Sequence, residues 1–282
     1  MKRFSILAIA LVIAATSLAL ASPKKPKADE SAPAAPAGPP PEETKAYLAI
    51  QGELDPTRQL QLVDDFAKTY PNSTLLSDAY FLGSYANEQK GDLAKAIDYC
   101  NKSLQAKPDN LRSLLTRASL LPRPEALQGG DADKEKNLND ATADANKALE
   151  LIPNLNPPNQ TPEQVTQLKA NLTSQVHSSL GMVHLQRAMM NLSGPDPAEL
   201  AKTEQEYNTA VTGTQQPDPE DYYRLGEVYR NEGKLDDAIG AFNKASQLAQ
   251  GSPLQGMAQQ QIQQLEQRKA QAGQPSQPPA KP

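Results

Sequence analysis

The chain has 282 residues, with 28 basic and 33 acidic side chains and a formal net charge of −5. That acidic balance disfavours nucleic acid and anionic lipid as partners. A single cysteine excludes an internal disulfide, tryptophan is absent and aromatic residues make up only 5%, so stability must come from packing small and aliphatic side chains, as in an all-α fold.

The first segment reads as a secretory signal over 1–21. Lys2 and Arg3 precede an uncharged apolar run from Phe4 to Leu20, and small residues at Ala19 and Ala21 place cleavage before Ser22. Without Lys2 and Arg3 the formal charge becomes −7. The run is short for a span of about 20 apolar residues, and Ser22 stands where a lipid anchor needs cysteine. The expectation is an exported chain with no stable membrane insertion after cleavage. Residues 22–41 are dense in proline and alanine and read as a disordered linker, and 272–282 has the same character. The folded part is expected over 42–271.

Within 42–271 the pattern is helix after helix, broken by proline and glycine, with no run of alternating β-branched residues. A first hairpin is expected over the segment ending DDFAKTYPNS, with Leu60, Val63, Phe66 and Ala67 on its second helix. A second opens with Ala79, Leu82, Gly83 and Ala86 and continues through Gly91, Ala96, Cys100, Ser103, Leu104 and Pro108. A third carries Leu114, Arg117, Ala118 and Leu121, then an insertion at about 122–139, then Ala141, Ala145, Ala148, Leu149 and Pro153. A fourth runs through His177, Leu180, Gly181 and His184 to Tyr207, Ala210 and Val211, interrupted by LSGPDP at 192–197.

The clearest unit is Pro219 to Ser252, spaced Tyr222, Leu225, Gly226, Tyr229, Gly233, Ala238, Phe242 and Ala245. Gly226 and Ala238 are small where two antiparallel helices cross, which lets their backbones approach, and Tyr222, Tyr229 and Phe242 fill the space beside them. After it, Leu254, Met257, Ala258, Ile262 and Leu265 form one apolar stripe on a glutamine-rich helix, as a cap would. The spacing from 219 to 252 resembles the tetratricopeptide repeat, and the whole resembles exported bacterial periplasmic proteins of that family. The second hairpin departs from the family spacing by one extra residue before Gly91. The resemblance implies an α-solenoid of antiparallel hairpins, counted as four, one of them degenerate, plus a cap.

The family's first helices line a channel that holds a polypeptide. The resemblance therefore implies a binding face built from Tyr80, Ser84, Asn87, Leu115, Ser119, Gln175, Ser178, Met182, Gln186, Tyr223, Glu227, Arg230 and Asn231, polar with a few apolar anchors. No dense Lys and Arg cluster falls among these positions, so an internal segment or a folded partner is expected rather than a free chain end. The functional expectation is a non-enzymatic interaction scaffold or adaptor of the bacterial envelope, periplasmic or secreted, with a protein partner. Two readings compete with it. One is self-association, possible as a homodimer, through the cap helix or the apolar segment LRSLLTRASLLP. The other is a hydrolase with its site in the insertions.

No cofactor or metal is expected. His177 and His184 are seven residues apart, a rise of roughly 10 Å, too far for both to reach one ion, and both fall on packing positions. Cys100 takes a second-helix packing position with no accompanying Cys-x-x-Cys. The acidic stretch GGDADKEKNLND lacks the glycine and closing glutamate of a calcium loop and reads as a solvated loop.

Overall fold

The computed structural model describes residues 39–272; the signal segment at 1–21, most of the linker at 22–41 and the tail beyond 272 lie outside the described residues. Among the described residues there are eleven α-helices and no strand. They form two compact units, residues 39–110 with 156–161, and residues 111–155 with 162–272.

The first unit contains α1 (Pro41–Gly52), α2 (Pro56–Thr69), α3 (Leu76–Gln89) and α4 (Leu93–Ala106). Its helices start where the sequence supplies caps. The Asp55 carboxylate accepts from the Arg58 N–H at 2.8 Å, with Pro56 following, and the Asp92 carboxylate accepts from the Lys95 N–H at 3.2 Å after Gly91 has turned the chain at φ 72°. Tyr47, Ile50, Val63, Phe66, Ala79 and Tyr99 share one core. The first hairpin is a complete one, tied across its turn by the Gln59 side-chain amide, which donates to the Ile50 carbonyl at 2.9 Å.

The α3/α4 pair corrects the expected register. Ser84, not Gly83, stands as far before Gly91 as Gly226 stands before Gly233, so no extra residue separates this hairpin from the regular spacing. Ser84 Oγ lies 3.0 Å from Cys100 Sγ, both buried. Gly83 meets the next side chain along α4: a Cβ there would lie 2.4 Å from the Tyr99 ring. Two adjacent small residues let α3 and α4 approach closely.

The second unit contains α5 (Leu111–Leu120), α6 (Asp131–Leu151), a 3₁₀ turn at Ile152–Asn154, α7 (Pro162–Met190), α8 (Pro197–Thr212), α9 (Pro219–Asn231), α10 (Leu235–Leu248) and α11 (Pro253–Ala272). Asp196 and Asp218 cap α8 and α9 ahead of Pro197 and Pro219, accepting from the N–H groups of Ala198 at 2.8 Å and Glu220 at 2.9 Å. Gly181 and Gly226 face rings of the second helices: a Cβ would lie 3.0 Å from Tyr207 and 2.9 Å from Phe242. On α11, Ala258 and Leu265 are buried, Leu254 and Ile262 pack beside them, and Met257 is exposed.

Three further expectations change. The described helices close five hairpins rather than four, one for each of the five segments named from the sequence, with α6 and α7 running to 21 and 29 residues. The acidic stretch read as a solvated loop is mostly the start of α6, where Asp131 and Asp133 occupy the first turn and favour the positive end of the helix dipole, while Leu138 is fully buried. Leu114, Leu115, Leu120 and Leu121 of the segment offered for self-association are buried, which leaves them no apolar surface to present.

Candidate functional site

In the second unit, α7 and α9 are the first helices of successive hairpins and α11 follows them as the cap. Side chains bridge all three. Ser178 Oγ on α7 donates to Asp221 on α9 at 2.5 Å, and the Arg230 guanidinium on α9 donates to Gln261 on α11 at 2.8 Å. Gln175 and Asn231 are exposed on α7 and α9. Met182 is half-buried against Leu185, Ala188, Leu200 and Val228, and accepts a weak contact from the Gln186 amide at 3.6 Å. Glu227 pairs with Arg224 at 2.9 Å. Tyr223 is buried, its ring 5.1 Å from that of Phe242 in an edge-on arrangement. On α5, Leu115 is buried, and Ser119 is half-buried with its hydroxyl donating to the Thr116 carbonyl at 2.8 Å.

The three candidates of the first unit do not form an open face. Ser84 and Asn87 are buried; the Asn87 amide donates to the Gly83 carbonyl at 2.9 Å, and Tyr80 is half-buried with its ring 6.2 Å from Tyr99. The corrected register explains this. Tyr80, Ser84 and Asn87 hold the places of Tyr222, Gly226 and Tyr229, which are packing positions of the helix crossing.

Sequence reasoning did not single out Asp221 or Gln261. Asp221 is 3% exposed. Burial pushes its carboxyl up to about 7, against the lowering effect of the Ser178 hydrogen bond, while Asp218 and Glu220 add to the rise. The Tyr207 hydroxyl is also buried and has no hydrogen-bond partner; burial and then the Asp221 charge raise its pKa. An acidic residue in the first turn of a helix looks like an ordinary dipole partner in sequence, and nothing there signals that Asp221 is enclosed by α7.

The two histidines tie α7 to α8. His177 Nδ1 lies 2.7 Å from Glu206, and His184 Nδ1 lies 2.7 Å from Glu199. Burial works against the Glu199 carboxylate, but hydrogen bonds from Lys202 and His184 outweigh it and hold its pKa below the ordinary value. Among the described residues no group of three or more His, Cys, Asp or Glu is placed to hold a metal ion. No described helix is long and apolar enough to cross a membrane.

Family models of the tetratricopeptide repeat match residues 77–110 and residues 219–252. Among solved structures, the chain is similar to TTC0263, a thermophilic TPR protein of Thermus thermophilus, at 15% identity and a TM-score of 0.52, over 79% of this chain and 98% of that one. It is similar also to Acl4, the assembly chaperone of RpL4, at 13% identity and a TM-score of 0.57, over 81% of this chain and 85% of that one. At such identities the likeness is one of fold. No curated protein matches the chain. Residues 77–110 and 219–252 thus match the tetratricopeptide repeat in one register, and the other described helices pair in the same antiparallel form.

Proposed function

We propose that this protein is a non-enzymatic scaffold or adaptor of the bacterial cell envelope that holds a segment of another polypeptide along α7, α9 and α11. The observation that carries the reading is the pair of side-chain bridges, Ser178 to Asp221 and Arg230 to Gln261, which join the three helices one to the next. Amides and hydroxyls along that line, Gln175, Gln186 and Asn231 among them, can bond an extended backbone, and Met182 offers an apolar contact. Arg224 and Arg230 are already engaged by Glu227 and Gln261, so recognition of an internal segment or folded partner is favoured over capture of a chain-end carboxylate. The likeness to an assembly chaperone is consistent with such a role, and export rests on the segment at 1–21.

A photo-crosslinking side chain placed at Gln175 or Asn231, with a control at Gln247 on α10, tests this in intact cells. Polypeptide adducts from the first two positions and none from Gln247 are expected. No adduct, or equal adducts from all three, defeats the reading. Fractionation of the same cells tests export: the protein retained in the cytoplasm at full length contradicts the envelope assignment.

A further inference from the structure

Asp221 stands in the first turn of α9, where that helix meets the α7/α8 hairpin, and is buried. Ser178 Oγ of α7 donates to it at 2.5 Å. From α8, Tyr207 brings a buried hydroxyl that has no hydrogen-bond partner, and the Asp221 charge acts on that hydroxyl more strongly than any other charge does. Arg224, one turn along α9, attracts Asp221 but is bonded to Glu227, while Asp218 and Glu220 repel it. The other charges on the surrounding elements are directed elsewhere. His177 of α7 lies against Glu206 of α8 at 2.7 Å, Arg123 acts on Glu220, and α10 sets Asp236, Asp237 and Lys244 beside Tyr222 and Tyr229. An enclosed carboxyl held by a neutral hydroxyl and flanked by two acids is favoured as the neutral acid, because a charge there gives up its water for little return.

The two sides of this junction differ in how they are held. Tyr223, Ala238, Phe242, Ala245, Ala258 and Leu265 share one core, so α9, α10 and α11 form a single packed body. That body meets α7 and α8 through Val228, which packs with Leu185, Ala188 and Leu200, and through Leu225 beside Tyr207. Val228 lies seven residues beyond Asp221, about 10 Å along the helix. The first turn of α9 can therefore part from α7 while the contact at Val228 holds, and the irregular residues 213–218 before α9 absorb the movement.

We propose that Asp221 is a proton-dependent latch: as the neutral acid it holds the first turn of α9 against Ser178 and Tyr207, and as the carboxylate it draws water into the junction and frees that turn from α7. The carboxyl, raised to about 7 when enclosed, returns towards an ordinary value near 4 when water reaches it. The closed junction thus binds the proton more tightly than the open one. Its stabilisation is full below about pH 4 and is lost as pH rises to about 7. The latch belongs to the fold and acts with or without a bound polypeptide.

Amide hydrogen exchange of the full chain, corrected for the intrinsic pH dependence of exchange, tests this at pH 5 and pH 8. Exchange over 219–226 that is faster at pH 8 by at least about tenfold, with 131–151 of α6 unchanged, is the expected result. Asp221→Asn should abolish the difference and keep the segment at its pH 5 protection. The double variant His177→Gln, His184→Gln should retain the difference, and it decides the matter should Asp221→Asn not fold. Equal protection at both pH values in the natural sequence overturns the latch. A difference that survives Asp221→Asn, or that vanishes in the histidine variant, assigns the response to another group and overturns it as well. A loss of protection spread evenly over α5 to α11 shows cooperative unfolding in place of a local opening, which also overturns it.

Discussion

In α9/α10 the two helices cross with Gly226 against the Phe242 ring, whereas in α5/α6 the Arg117 guanidinium grips the Asp144 carboxylate at 2.6 and 2.7 Å. The first crossing is apolar and depends on shape. The second is a charge pair with the acid 4% exposed, where burial raises the Asp144 carboxyl and Arg117 pulls it back down. The regular hairpin is recognisable from a spacing of side-chain sizes, because shape complementarity constrains size at fixed intervals. The irregular hairpin joins partners 27 residues apart across ten residues of turns and loop, so no repeat spacing announces it.

The largest expected effect comes from emptying the apolar crossing. Phe242→Ala leaves a cavity around Gly226 and Tyr223, and urea unfolding should show a loss of about 3–5 kcal/mol. A loss below about 1 kcal/mol would mean that the ring is not the packing element described. Next is the charge pair. Arg117→Met leaves the Asp144 carboxylate without its main partner and should cost about 2–3 kcal/mol, moderated because Arg117 keeps 21% of its side-chain surface in water. Adding Asp144→Leu should recover at least half of that, since the uncompensated charge is then gone. Additive losses in the double variant would show that the pair is not coupled.

The smallest effect concerns Asp221 and depends on pH. Its folded carboxyl is raised to about 7 from an ordinary value near 4, so the folded state binds the proton more tightly than the unfolded chain. The resulting stability is full below about pH 4 and is lost as pH rises to about 7. Asp221→Asn keeps an acceptor for Ser178 and cannot ionise. It should match the natural protein at pH 4 and exceed it by about 1–3 kcal/mol at pH 8. Equal stability at both pH values would mean that the carboxyl is not held in its neutral form.

Composition and the 219–252 spacing determined a helical repeat fold, because helix crossings demand small residues at set intervals and the chain displays them. The start points of α2, α8 and α9 were equally legible, since Asp-Pro combines a side-chain cap with a preset φ. The candidate face was readable only in part. A register error of one residue turned Ser84 and Asn87 from packing positions into expected binding ones, because Gly83 and Ser84 are both small and either satisfies the pattern. Tertiary structure alone decided that Asp221 is enclosed, that the histidines bond Glu199 and Glu206, and that α7 is bridged to α9 and α9 to α11. Those outcomes depend on which helices become neighbours, and helical periodicity along one segment carries no information about the side chains that a distant segment will bring against it.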